Sequence, residues 1–197
     1  DSSKKDIDKS KILKELNLSK DEYILCSTHR EENIDIEDNF ISLFSSLNNV
    51  SEEFKKEIIL STHPRTKKKV EEKNFKLHKN IRLLKPFGYF DYLKLQMNSY
   101  VVLSDSGTIF EESSILKFRA VCIRESNERP ESFEESQVIM SGLKSFDILN
   151  SIVLSRSQNP ENFNIVEDYN VGNVSLKVLN IVHSYIDFVQ REVWKTK

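Results

Sequence analysis

Five short apolar runs, each continuous rather than alternating, constrain this chain more than any other feature. They fall at residues 23–27, 57–61, 81–84, 100–104 and 120–123. A strand that is apolar along its whole length is buried on both faces, as in a parallel sheet covered by helices. Residues 138–140 predict a sixth strand. Between the runs lie amphipathic stretches that predict helices over 36–47, 64–73, 89–97 and 108–116. The first of these carries Ile36, Phe40, Leu43, Phe44 and Leu47 at helical spacing. Strand and helix in alternation mean an α/β fold, a doubly wound parallel sheet of Rossmann-like type. Right-handed crossovers bring the carboxyl end of every strand, with the loop that follows it, to one edge of the sheet, where ligands of such folds bind.

The flanks are helical. Residues 7–18 predict a first amphipathic helix with Ile7, Ile12, Leu13 and Leu16 on its apolar side. After Gly142 come helices without strands, over 146–155 and 174–194, with an Asn-Pro turn at Pro160 between them. The last helix repeats Leu179, Val182, Ile186, Val189 and Val193, a seam that must pack on something. No repeat or low-complexity linker interrupts residues 1–197, which read as one Rossmann-like domain.

Composition removes several alternatives. With 29 basic and 31 acidic side chains and a net charge of −2, there is no polycationic surface to ask for nucleic acid. The four glycines, Gly88, Gly107, Gly142 and Gly172, cannot form Gly-x-Gly-x-x-Gly or a Walker loop. No cofactor is expected, and the scattered histidines His29, His63, His78 and His183 offer no metal-ligand spacing. A Gly-x-Ser-x-Gly elbow is absent too. Cys26 and Cys122 each sit in an apolar run, the place of buried free thiols, so a reducing, cytoplasmic setting is expected. No apolar stretch approaches the 18 or so residues of a membrane span. The start, Asp1-Ser2-Ser3, has no initiator Met, and the chain is expected to be part of something longer.

Polar residues gather just past each predicted strand, and so at one edge. The loops carry Thr28-His29-Arg30-Glu31, Thr62-His63-Pro64-Arg65, Lys85-Pro86-Phe87-Gly88, Asp105-Ser106-Gly107-Thr108 and Arg124 through Glu131. Ser106-Gly107-Thr108, opening into a helix, leaves backbone N–H groups unpaired and, at Gly107, admits a ligand without a side chain in the way, which makes a phosphate seat. Glu112 lies one turn below Thr108, where a carboxylate accepts two hydrogen bonds from a vicinal diol such as a ribose. The same residues also suit an ordinary N-cap, with Glu111 and Glu112 favouring the helix dipole. A diphosphate needs cations, and the candidates are His29, Arg30, His63, Arg65, Arg124 and Arg129. Tyr92, with Phe87 close by, is either the cover of a base or part of the core.

Thr28-His29-Arg30-Glu31, Asp105-Ser106-Gly107 with Glu111-Glu112, and Glu128-Arg129-Pro130-Glu131, in this order and spacing, resemble the carboxyl-terminal domain of the non-hydrolysing UDP-N-acetylglucosamine 2-epimerase family over nearly the whole chain. The resemblance implies the second half of a GT-B-type two-domain fold, with UDP in the cleft. It implies that His29 contacts the diphosphate and sugar, and that the main chain near Phe87 and the Tyr92 ring hold the uracil. Ser106, Gly107 and Thr108 would bind the diphosphate, Glu112 the ribose and Arg129 the nucleotide-sugar near its phosphates. The implied reaction inverts C2 of a UDP-2-acetamido sugar by anti elimination of UDP and re-addition. Its acid and base carboxylates would belong to an amino-terminal partner domain, and the full-length protein is expected to be a homodimer.

Three positions depart from the family pattern: Thr108 replaces a second Gly, His63-Pro64-Arg65-Thr66 replaces His-x-Asn-Pro, and Glu134-Glu135-Ser136 replaces Glu-Ala-Gly. The second of these, with the ending Asp168-Tyr169 through Val193-Trp194, is more similar to the sub-branch that makes N-acetyl-L-fucosamine or diacetamido-uronic acid nucleotides for capsule or O-antigen. Two other readings share the same loop and ribose carboxylate: the donor domain of a GT-B glycosyltransferase and a non-catalytic nucleotide-sugar sensor.

Overall fold

A computed structural model describes residues 2–135 and 137–195. Ser136, the end of the third departing segment, lies outside them. Two compact units divide the chain, Asp1–Val166 and Glu167–Lys197, and the sheet belongs to the first. In chain order the first unit contains α1 (Ser2–Lys9), α2 (Ile12–Glu15), β1 (Tyr23–Ser27), α3 (Glu31–Asp35), α4 (Glu37–Phe54), β2 (Glu57–Ser61) and α5 (Pro64–Glu72). There follow β3 (Ile81–Leu84), α6 (Tyr89–Asn98), β4 (Val102–Ser104), α7 (Ile109–Leu116), β5 (Ala120–Cys122), α8 (Glu131–Glu135), β6 (Ile139–Met140) and α9 (Ser145–Ser157).

All six strands are parallel, in the order β3-β2-β1-β4-β5-β6. The predicted α/β doubly wound sheet is the fold observed. The continuous apolar runs become strands buried on both faces, with Ile24, Leu25, Cys26, Ile58, Ile59 and Leu60 all fully enclosed. On one face Phe40, Leu43, Phe44 and Leu47 of α4 join Ile148 and Ile152 of α9 over Val121 and Ile123. At about 1.5–3 kcal/mol for each fully buried large apolar side chain, this layer is a main source of stability. Both cysteines are free and buried.

Boundaries shift where tertiary contacts overrule local pattern. Helix α4 runs on to Phe54 rather than stopping at residue 47. Asn48 and Asn49, polar residues that read as an end, are instead bonded to neighbours: Asn48 to the Lys76 carbonyl (2.9 Å) and the His78 N–H (2.7 Å), Asn49 to Ser145 (2.9 Å). Lys55, at φ 51°, ends the helix in a left-handed cap that glycine more often occupies; in a chain with so few glycines, Lys117 does the same after α7. The predicted first helix breaks into α1 and α2 at Ser10, whose hydroxyl turns to Asp91 (2.5 Å). A short helix, α3, fills what read as a polar loop.

The second unit holds α10 (Val174–Phe188) and a π-helical turn, Val189–Val193. The seam residues Leu179, Val182, Ile186 and Val193 are about half exposed or more. Among the described residues, no helix is long and apolar enough to cross a membrane.

Candidate functional site

The strand order reverses between β1 and β4, the switch point beside which doubly wound sheets bind ligands. Asp105, the first residue past β4, keeps the ladder going through its N–H to the Ser27 carbonyl (3.2 Å). Its carboxylate is fully buried. It accepts hydrogen bonds from Thr28 Oγ1 (2.8 Å), the N–H groups of His29 and Arg30 (3.0 Å each) and Asn33 Nδ2 (3.1 Å). His29 Nδ1 lies 3.1 Å from its second oxygen. Burial alone would raise this carboxyl's pKa, but the bonds from His29, the Arg30 amide and Thr28 hold it below the usual carboxylate value. In return the bond to Asp105 raises the pKa of His29, against partial burial and the Arg30 charge. An ionised Asp105 thus orients an imidazole that favours its charged form and remains 57% exposed, free to donate to an anion at the sheet edge.

Around the start of α7 the polar groups form a chain. The Ser106 N–H turns back to Ser104 Oγ (3.1 Å), the Ser106 hydroxyl meets Thr108 Oγ1 (3.0 Å), and Thr108 donates to Glu112 Oε1 (3.0 Å). Gln96, from α6, donates to the other Glu112 oxygen at 2.6 Å. Burial raises the pKa of Glu112, these two bonds oppose the rise, and the Glu111 charge adds to it. A diol donating to this carboxylate would supply stabilisation that its surroundings do not complete. Over Gly107 lies the Arg129 guanidinium, close enough that a Cβ at position 107 would make its tip shift. The glycine leaves room for that cation to rest against the loop. Arg129 Nε donates to Glu111 Oε1 at 2.5 Å.

His29, Ser106, Gly107, Thr108 and Arg129 therefore occupy adjoining loops at the edge, with Glu112 in the first turns of α7 beside them. The other candidates have different employment. His63 caps α5 by accepting the Arg65 N–H (3.3 Å), and Arg65 is held by Glu31 (3.2 Å) and Asp35 (2.5 Å). With His29 they line an adjoining cleft of about 240 Å³. Arg124 is fully buried on Glu128. Phe87 is half-buried. The Tyr92 hydroxyl lies close to Ser27, and burial raises its pKa. The exposed rings at the start of α6 are Tyr89 and Phe90, edge to face at 5.3 Å.

Asn33 and Gln96 escaped the sequence reading. Asn33 stands among ordinary surface polar residues, and Gln96 lies 16 residues from the carboxylate it serves, so neither leaves a local signal. Glu111 was legible only as a dipole-favouring acid; its bond to Arg129 joins two loops.

Residues 1–183 match a model of the family described as UDP-N-acetylglucosamine 2-epimerase. The UDP-N-acetylglucosamine 2-epimerase of Methanococcus maripaludis is 36% identical over 166 residues, 82% of this chain and 44% of that protein. Among solved structures, the UDP-N-acetylglucosamine 2-epimerase of Rickettsia bellii superposes with a TM-score of 0.79 at 41% identity, covering 97% of this chain and 52% of that one. The Methanocaldococcus jannaschii enzyme, solved in complex with UDP-GlcNAc and UDP, gives 0.79 at 28% identity, covering 91% and 50%. The chain spans about half the length of the relatives it matches. By sequence and by fold, this chain belongs to the UDP-N-acetylglucosamine 2-epimerase family.

Proposed function

We propose that this chain is the UDP-binding part of a nucleotide-sugar 2-epimerase that inverts C2 of a UDP-2-acetamido sugar for surface polysaccharide synthesis in the cytoplasm. The observation that carries the proposal is the meeting of three loops, where the Arg129 guanidinium lies over Gly107, His29 leans on buried Asp105, and Glu112 waits one turn down α7. Arg129, charged His29 and the N–H groups at the start of α7 take the diphosphate, and Glu112 the ribose hydroxyls. Phe87 and the neighbouring rings, Tyr92 among them, border the base. In the elimination step the C1–O bond to UDP breaks and charge gathers on the β-phosphate; donors already aimed at that position stabilise it without reorganising. The same donors keep UDP bound until it adds back. Proton transfer at C2 falls to carboxylates of an amino-terminal domain, which also receives the exposed seam of α10.

UDP should raise the melting temperature of this chain, since a ligand at 100 times its Kd adds about 2.7 kcal/mol. No shift at millimolar UDP with the chain folded would defeat the proposal. For the full-length protein, deuterium from solvent should appear at C2 of the UDP-sugar with no acceptor present. A glycosyltransferase or a sensor would not catalyse that exchange.

A further inference from the structure

Arg124 is the largest fully buried side chain of the described residues, and arginine is seldom enclosed unless it is paired on every side. Here it is paired on one. Nη2 donates to Glu128 Oε1 at 2.5 Å, while Nε and Nη1 are buried with no hydrogen-bond partner. A cation kept for stability alone would have its remaining N–H groups satisfied, since burying them unpaired is unfavourable. The significance of its one bond lies in what that bond holds in place.

That bond pins Glu128, whose own side chain is 59% exposed. The same Glu128 oxygen takes a second bond, from Arg30 Nη2 at 3.4 Å, and Arg30 follows His29 in the loop after β1. The carboxylate thus ties the loop after β5 to the loop that carries His29. The next residue is Arg129. Its N–H donates to Asn127 Oδ1 (3.2 Å), and Asn127 Nδ2 donates back to the Arg129 carbonyl (3.2 Å). Glu111 then fixes the guanidinium over Gly107. From the sheet outward the order is buried Arg124, Glu128, the Arg129 backbone and the Arg129 cation. An exposed loop without such an anchor would have to be ordered at the moment of binding.

We propose that Arg124, through Glu128, is a positioning residue for Arg129, setting its guanidinium over the phosphate loop before a nucleotide arrives. The proposal rests on the UDP site described above. It assigns Arg124 no contact with substrate: its effect is on phosphate recognition and passes through Arg129.

The test titrates this chain with UDP by calorimetry and with uridine, which has base and ribose but no phosphate, by ligand-observed NMR. Glu128→Ala removes the acceptor at an exposed position and leaves the core intact; Arg124→Met removes the donor from beneath. Each should weaken UDP about tenfold, the scale on which groups supporting a ligand-contacting residue act, with uridine affinity unchanged. In an Arg129→Gln background, Glu128→Ala should have no further effect, because residues that act through one another are not additive. Wild-type UDP affinity in Glu128→Ala, equal losses for UDP and uridine, or a full additional loss in the double variant would each overturn the proposal. If the wild-type chain itself fails to bind UDP, the proposed function falls first.

Discussion

Two buried charges, about one strand apart on the same sheet edge, are treated in opposite ways. Asp105 receives bonds from Thr28, His29, Arg30 and Asn33, whereas Arg124 has Glu128 and two N–H groups with nothing. A buried charge that is fully bonded becomes part of the framework, and removing it leaves every partner stranded. One that is bonded only outward, to an exposed carboxylate, contributes little to the framework and acts through what it holds. The contrast separates residues that shape the site from residues that aim it.

The largest effect should come from Asp105. Asp105→Ala strands its buried donors, so urea unfolding should show a loss of about 3–5 kcal/mol. Arg124→Met should stay within about 1 kcal/mol of wild type, because the partner it leaves behind, Glu128, is exposed and no buried charge is left uncompensated. Equal losses for the two variants would erase the comparison. Next in size, Glu112→Ala should weaken UDP binding by tenfold or more, about 1.4–3 kcal/mol for a lost charge-assisted bond, with the melting temperature nearly unchanged.

Titration sharpens the contrast further. The raised pKa of His29 means that its contribution to stability is complete below the ordinary histidine value and lost as pH rises through the folded value. UDP affinity should fall over the same range, and His29→Gln should flatten that limb. Asp105, with its lowered pKa, contributes stability above the ordinary aspartate value and loses it as pH falls through the folded one. Glu112 has a raised pKa, and a ribose bonds its ionised form, so UDP affinity should also decline as pH drops through the Glu112 value. The smallest effect on this chain belongs to α10. Leu179→Ser and Ile186→Ser change exposed positions and should move the unfolding free energy by less than about 0.5 kcal/mol, while weakening assembly in the full-length protein.

Strands were the most legible part of the sequence, since a continuous apolar run buried on two faces has few other uses; 23–27, 57–61 and 81–84 coincide with β1, β2 and β3. Ser106, Gly107 and Thr108 were visible because strand-end residues share an edge whatever the details. Helix α4 was read too short because Asn48 and Asn49 end a helix locally, and only distant partners on Lys76, His78 and Ser145 cancel that preference. From the sequence Tyr92 is either the cover of a base or part of the core; that its hydroxyl lies beside Ser27 depends on how α6 lies against β1.

By itself, then, the sequence determined the class of fold, the edge at which the polar loops gather and the kinds of groups waiting there, because strand periodicity and right-handed crossovers are local and general. Tertiary structure decided which partner each candidate cation takes. His63 and Arg65 went to a cap and to ion pairs, Arg124 went beneath the loop, and Arg129 went over Gly107. The partners of Arg65 and Arg129 come from other loops and helices of the chain, and no spacing along the sequence encodes those distances.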